Sequence, residues 1–151
     1  MGIEKEYGGK MKKEKELIKA AYEAQKYSYS PYSQFQVGAA LLGEDGKIYL
    51  GCNIENAAYS PTNCAERTAF FKAVSQGCRT FQAIAIVGNQ KGMAPDYCPP
   101  CGVCRQVMAE FCDPEKFQII LARSLEEYQI FFLKELLPFG FGNDLLCSDK
   151  E

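Results

Sequence analysis

The apolar positions of this chain change between helical and strand periodicity, which predicts a mixed α and β domain. Over residues 14–27 they recur every three or four positions, as expected for one amphipathic helix. Residues 35–42 are apolar at both odd and even positions, which predicts a strand buried on both faces. Turn residues at 43–46 then lead to a second strand at 47–50, so this part of the chain predicts a β-hairpin.

The remainder of the chain predicts alternating helices and strands. Helices are expected over residues 63–76, where Gly77 provides the C-terminal stop, and over residues 101–111. The predicted strands cover residues 81–87, 117–121 and 129–131, and a helical turn covers 134–137. Because strands alternate with helices after the hairpin, we expect helices on both faces of one mixed sheet.

A length of 151 residues predicts a single domain. Residues 1–12 contain Gly8, Gly9 and mixed charge without an apolar period, so we expect them to form a disordered tail. The domain is expected to span residues 13–145, with a second tail at 146–151.

Charge and hydropathy exclude several kinds of partner. Seventeen Lys and Arg against nineteen Asp and Glu give a formal net charge of −2, which offers nucleic acid no basic surface. The apolar runs are too short to span a bilayer, and residues 1–15 lack the apolar stretch of a signal peptide. We therefore expect a cytoplasmic protein without a nucleic-acid or membrane partner.

The chain contains eight cysteines and no histidine. The absence of histidine excludes Ser-His and Cys-His catalytic pairs, and it leaves thiolates and carboxylates as the ligands for a transition metal. Because the cytosol keeps thiols reduced, metal binding or redox chemistry explains these cysteines better than disulfides do.

Three of the cysteines stand at predicted helix starts. Cys101 and Cys104 are three positions apart, which puts both sulfurs on one face of a first turn, and Cys64 is equally early in its own helix. Two helix N-termini that point at one spot would gather three thiolates, and the helix dipoles favour their negative charge. Three protein ligands leave a tetrahedral zinc ion one open position, as in catalytic rather than structural sites.

Glu66 and Arg67 follow closely on the first of these cysteines. The residues at i+3, i+4 and i+7 from Glu66 are all apolar, so its carboxylate lies on the core-facing side of the helix. Such a position is costly unless the carboxylate is used, and beside a metal it could transfer protons. Arg67 is three positions after Cys64, on the same side of the helix, where a cation could offset the charge of three thiolates.

These residues match a family of enzymes. Cys64-Ala65-Glu66 together with Pro100-Cys101-x-x-Cys104 is similar to the zinc signature of nucleoside and base deaminases. A cysteine as the first ligand resembles the small tetrameric cytidine deaminases in particular. The resemblance covers roughly residues 17–145 and includes the segments 31–33, 35–42, 51–57, 64–68, 104–106 and 135–138.

The resemblance implies a fold and an activity. The fold would be α/β, a three-layer α/β/α sandwich around a five-stranded mixed sheet. The activity would be zinc-dependent hydrolytic deamination of cytidine and deoxycytidine to uridine and deoxyuridine, with release of ammonia, as in pyrimidine salvage. The resemblance also implies one zinc ion per subunit and a homotetramer whose subunits share active sites.

It further implies roles for individual residues. The zinc ligands would be Cys64, Cys101 and Cys104, the proton carrier Glu66, and the substrate-binding residues Phe35, Asn53, Glu55, Ala65 and Phe141. Asn53 and Glu55 would hold the ribose 3′-hydroxyl, and Phe35 would pack against the pyrimidine. Phe141 would reach the ring from a neighbouring subunit.

Some alternatives stay open at the level of sequence. Cys98 forms a second C-x-x-C with Cys101 and would supply the fourth ligand of a structural zinc site. The pair Cys101 and Cys104 is also compatible with a thioredoxin-like redox role. Phe139 competes with Phe141 for the stacking role. The nearest rival activity is another aminohydrolase on the same zinc framework, such as a blasticidin-type enzyme.

Overall fold

A computed structural model describes residues 3–146 and the side chains of residues 12–146. Five strands form one sheet in the order β2-β1-β3-β4-β5. The elements in chain order are α1 (Ile3–Gln25), β1 (Phe35–Gly43), β2 (Ile48–Cys52), α2 (Ala65–Ser75), β3 (Phe81–Gln90), α3 (Gly102–Phe111), β4 (Gln118–Ala122), β5 (Tyr128–Phe132), α4 (Leu133–Leu136) and a short 3₁₀ helix (Asn143–Leu145). β3 and β4 are parallel, and the other neighbouring strands of the sheet are antiparallel.

The first helix is longer than the apolar pattern predicts. It begins at Ile3, whereas the periodicity predicts a start at Glu14 after a disordered tail. Residues 3–13 are rich in Lys and Glu, which favour a helix without forming an apolar face, so a search for apolar periodicity does not detect them. The helix runs through the predicted boundary at residue 12, and the division of the chain into tails and one domain stays a prediction. The part of the second predicted tail that follows residue 146 lies outside the described residues.

The other helices and strands lie where the sequence predicts them, with ends shifted by at most a few residues. Gly46 in the hairpin turn and Gly77 after α2 have φ angles of 83° and 93°. Both values lie in the left-handed region that glycine adopts at little cost, which explains why the turn and the end of α2 occur there. None of the helices within residues 3–146 combines the length and apolar character that a membrane span requires.

Helices cover both faces of the sheet, as predicted. α1 packs on one face, where Leu17, Ile18 and Ala21 are buried against residues of β1, β3 and β4. α2 and α3 pack on the other face, where Phe70 and Met108 are fully buried. Burying a side chain of this size contributes roughly 1.5–3 kcal/mol. The structure therefore confirms a three-layer α/β/α sandwich around a five-stranded mixed sheet.

Two glycines allow a helix to approach the sheet closely on each face. A Cβ atom at Gly38 in β1 would lie 2.0 Å from the carbonyl oxygen of Ala21 in α1. A Cβ atom at Gly51 in β2 would lie 2.2 Å from the carbonyl oxygen of Ala65 in α2. Because no methyl group fits at either position, backbone contact with the sheet fixes the start of α2, next to Cys64.

Candidate active site

Three cysteines from two helix starts come together in the structure. Cys64 immediately precedes α2, Cys101 immediately precedes α3, and Cys104 lies in the first turn of α3. The sulfur of Cys101 lies 3.6 Å from that of Cys64 and 3.5 Å from that of Cys104. All three sulfurs lie within 4.8 Å of one another. We call them the sulfur cluster.

The spacing of the sulfur cluster fits a zinc ion. Tetrahedral coordination with Zn–S distances of about 2.3 Å sets neighbouring sulfurs about 3.8 Å apart. The distances of 3.5 and 3.6 Å in the structure are close to this value. Among the described residues, no further cysteine or carboxylate belongs to the group, which leaves one coordination position open. A three-ligand site of this kind is the arrangement that catalytic zinc sites use.

Nearby N–H groups favour negative charge on the sulfurs. The backbone N–H of Cys104 donates to the sulfur of Cys101 at 3.5 Å, and Nη2 of Arg67 donates to the sulfur of Cys64 at 3.2 Å. The interaction with the Cys104 thiol and the hydrogen bond from Arg67 lower the pKa of the Cys64 thiol. The pKa of the Cys104 thiol is raised by the interaction with Cys64, by burial and by the negative charge of Glu66. Cysteines bind a divalent cation as thiolates, so metal binding would release the remaining thiol protons of the cluster.

Glu66 lies in the first turn of α2, with its carboxylate against the sulfur cluster. Its side chain is only 3% exposed, and Oε2 accepts a hydrogen bond from the Cys104 thiol at 3.6 Å. Burial raises the pKa of the Glu66 carboxyl to about 7, and a cation bound by the sulfurs would act in the opposite direction. A carboxyl group with a pKa near neutrality can both accept and release protons.

Asn53 lies just after β2 and is hydrogen-bonded to the neighbouring strand. Its side-chain nitrogen donates to the carbonyl oxygen of Phe35 at 2.8 Å, and its Oδ1 accepts from the N–H of Val37 at 3.0 Å. The hydroxyl of Ser28 donates to the same oxygen. Asn53 therefore connects the segment after β2 to β1, a structural role that its sequence pattern did not indicate.

Glu55 lies two residues further on and is held by a turn. Its Oε1 accepts hydrogen bonds from the backbone N–H groups of Tyr32 and Ser33 at 2.9 and 3.1 Å. The Ser33 hydroxyl and these two N–H groups hold the pKa of the Glu55 carboxyl below its usual value. Glu55 lines a cleft of about 410 Å³ with Tyr32, Ser33, Tyr59 and Thr62. It is thus a charged acceptor that faces a cleft large enough for a ligand.

Phe35 and Cys98 are neighbours on the sheet side of this region. Both are half-buried, pack against the core beneath α2 and α3, and lie over Gly88 in β3. Cys98 is outside the sulfur cluster, so it does not supply a fourth ligand in this structure. Ala65 is fully buried at the start of α2.

The two C-terminal phenylalanines are exposed. Phe139 is fully exposed, and 57% of Phe141 is exposed. Phe141 lines a cavity of about 470 Å³ beside the C-terminal half of α3, and none of the three cysteines lines that cavity. Its carbonyl oxygen accepts a hydrogen bond from Gln106 at 2.9 Å, which attaches this part of the chain to α3.

Together, the three-layer fold and the sulfur cluster define a zinc-binding α/β protein with its metal centre at two helix starts. Residues 11–120 match the family described as "Cytidine and deoxycytidylate deaminase zinc-binding region". This match covers most of the chain, including all three cysteines and Glu66.

Individual relatives give the same result. The chain is 50% identical to the cytidine deaminase of Sporosarcina psychrophila, over 89% of this chain and 96% of the relative. It is 52% identical to the cytidine deaminase of Halalkalibacterium halodurans, over 83% of this chain and 91% of the relative. The crystal structure of cytidine deaminase from Burkholderia pseudomallei aligns with a TM-score of 0.74 at 46% identity, covering 83% of this chain and 96% of that one. The chain belongs to the cytidine deaminase family, which confirms the resemblance seen in the sequence.

The geometry of the sulfur cluster predicts the metal content of variants. Purified protein is expected to carry about one zinc ion per chain. Cys101→Ala and Cys104→Ala are expected to lose most of this zinc, because two thiolates hold the ion far less tightly than three. Cys98→Ala is the matched control and is expected to retain it. Zinc is counted by mass spectrometry of the metal after gel filtration. Loss of zinc from Cys98→Ala together with retention by Cys104→Ala would overturn the ligand assignment.

Proposed function

We propose that this protein hydrolyses cytidine and deoxycytidine to uridine and deoxyuridine, with Glu66 carrying protons beside a zinc ion held by Cys64, Cys101 and Cys104. The observation that carries the proposal is the buried carboxylate of Glu66 in contact with the sulfur cluster. Membership of the cytidine deaminase family supports the substrate. A redox role for the cysteines, or a purely structural zinc site, would leave this costly buried carboxylate without a function.

A zinc ion held by Cys64, Cys101 and Cys104 would supply a Lewis acid that makes a water molecule acidic near neutral pH. Glu66 is placed to take the proton from that water, because its Oε2 lies against the sulfur cluster. Glu66 then delivers the proton to ring N3, which makes C4 electrophilic, and the oxygen of the water adds to C4. Glu66 next takes the proton of the hydroxyl group now on C4 and delivers it to the exocyclic amino group. The C4–N bond breaks, ammonia leaves and a carbonyl group remains at C4, so that one carboxyl group acts as both base and acid.

Arg67 and the two helix starts offset the charge of the metal ligands. Three thiolates around a divalent cation leave one negative charge, and the Arg67 guanidinium donates directly to the sulfur of Cys64. Hydrogen bonds to a ligating sulfur reduce the electron density that it gives to the metal. Arg67 therefore preserves the acidity that the metal confers on water.

Asn53 and Glu55 are proposed to hold the ribose 3′-hydroxyl, with Phe35 packed against the pyrimidine and Ala65 beside the ring. Glu55 supports this assignment because its lowered pKa keeps it a charged acceptor at the wall of a cleft. Asn53 has a side chain fixed by three hydrogen bonds to the protein, which would present its remaining N–H in one orientation.

Phe141 is proposed to complete the active site of a neighbouring subunit in a homotetramer. An exposed aromatic ring near the end of a chain normally needs a partner surface. We also propose that the protein acts in the cytoplasm. The seven cysteines that the structure describes are free thiols, which suits a reducing compartment.

Replacing the proton carrier tests the mechanism. Glu66→Gln is expected to keep its zinc and its fold but to lose at least about 10³-fold in kcat, because an amide cannot relay the protons of several steps. Turnover is measured by the ultraviolet absorbance of cytidine, with and without a chelator. Glu44→Gln changes an exposed carboxylate in the same way and is expected to behave like the parent protein. A Glu66→Gln variant within about tenfold of the parent would contradict the mechanism.

Ribose recognition is tested with a substrate that lacks the 3′-hydroxyl. Glu55→Ala is expected to lower kcat/KM for cytidine at least about tenfold more than for 3′-deoxycytidine, since a lost hydrogen bond to a charged group costs roughly 1.5–3 kcal/mol. Asn53→Ala is expected to show the same preference and also a lower melting temperature, because it loses its bonds to β1. Equal losses on both substrates would mean that these side chains serve structure alone.

Shared active sites are tested by mixing subunits. Phe141→Ala is expected to raise KM for cytidine without a change in zinc content. Phe139→Ala is the matched aromatic control and is expected to leave this KM unchanged. Mixed Phe141→Ala and Glu66→Gln subunits form hybrid sites that combine an intact Glu66 with an intact Phe141. At low cytidine concentration these hybrids are expected to exceed the summed activity of the separate variants. A fully active monomer, shown by light scattering alongside turnover, would rule out the shared site.

A further inference from the structure

Cys98 packs against Gly88 beside Phe35, one of the proposed substrate-binding residues. A Cβ atom on Gly88 would lie 2.8 Å from Sγ of Cys98, 3.0 Å from its Cβ and 3.2 Å from Cε1 of Phe35. The side chains of Cys98 and Phe35 therefore meet over Gly88. Neither can move further towards β3, because the strand backbone already lies behind them.

Cys98 is also only three residues before Cys101, a proposed zinc ligand. Burial, and then the negative charges of Glu66 and Cys64, raise the pKa of the Cys98 thiol to about 12. A neutral, half-buried thiol behaves as a small apolar group. Cys98 is thus an apolar side chain that lies beside the ring of Phe35.

The segment that carries Cys98 is held firmly against the sheet. Asp96 forms a β-bridge with Gly88, and Pro99 and Pro100 restrict the backbone on the other side. The carbonyl oxygen of Pro100 also accepts a hydrogen bond from Nε of Arg105 at 2.8 Å. A wall with a fixed backbone can discriminate by size, since it does not move to accommodate a larger ligand.

We propose that Cys98, supported by Gly88, limits the size of the substituent that the site accepts at C5 of the pyrimidine. The inference rests on the proposed function, in which Glu66 serves N3 and C4 is attacked. The ring neighbours of C4 are N3 and C5. With N3 at Glu66, C5 is on the side of C4 away from Glu66, and the proposal places this edge of the ring against the wall that Cys98 and Phe35 form.

Two substitutions at Cys98 test the size limit. The zinc-loaded variants are compared with the parent by kcat/KM for cytidine and for 5-methylcytidine. Cys98→Ala is expected to raise the ratio of 5-methylcytidine to cytidine at least about tenfold, because space for one methyl group in an apolar pocket discriminates by roughly 10–200-fold. Cys98→Val is expected to lower the ratio. Cys78→Ala removes a buried thiol at the opposite end of α2 and is expected to leave the ratio unchanged.

A double variant tests the contact with Gly88. Gly88→Ala is expected to lower kcat/KM for cytidine, because the new methyl group pushes Cys98 and Phe35 away from β3. Cys98→Ala in the same chain removes the sulfur that lies closest and is expected to restore part of the activity. Zinc content and melting temperature distinguish this effect from misfolding. If Gly88→Ala does not fold, the two single variants at Cys98 decide the question.

The outcomes separate this inference from the proposed function. A parent protein that deaminates cytidine, with a Cys98→Ala ratio within about twofold of the parent, would overturn the role of Cys98 and leave the function intact. A zinc-loaded parent that does not deaminate cytidine would overturn the proposed function itself.

Discussion

Negative charge concentrated at one point is the constraint on which the rest of the structure depends. Three cysteine sulfurs lie within 4.8 Å of one another, and as thiolates they would repel each other strongly without compensation. Two helix starts, Arg67 and a divalent cation provide that compensation. The sheet must therefore bring the starts of α2 and α3 to one place. Gly51 permits the close contact of α2 with β2, and α3 is part of the connection that the parallel pair β3 and β4 requires.

The same constraint explains why a carboxylate can be buried at this position. Glu66 lies in the first turn of α2, where the helix dipole favours negative charge. Apolar residues of the same helix pack into the core and keep water away from the carboxyl, which raises its pKa. One face of α2 thus determines both the packing of the core and the pKa of the Glu66 carboxyl. The residues that stabilise the fold also give Glu66 the proton affinity that the proposed mechanism requires.

Much of this could be predicted from the sequence, and the reasons are physical. Helical spacing converts positions 101 and 104 into one face, so the sulfurs and the helix start were predictable from local rules alone. Glu66 was recognisable because a charged residue interrupts an apolar stripe. The start of α1 was missed, because a helix of Lys and Glu residues carries no apolar period. The contact of Cys98 with Gly88 could not be predicted from the sequence either, because it joins a loop to a strand that only the tertiary fold brings together.

The separation of the ligands along the chain has a consequence for folding. Cys64 and Cys101 are 37 positions apart, yet their sulfurs are neighbours. A bound zinc ion would therefore act as a reversible cross-link that closes a long loop and removes conformational entropy from partly unfolded chains. Binding to the folded state alone also shifts the folding equilibrium in proportion to the free metal concentration. The supply of zinc in a cell would thus influence how long each folded molecule survives, as well as how fast it works.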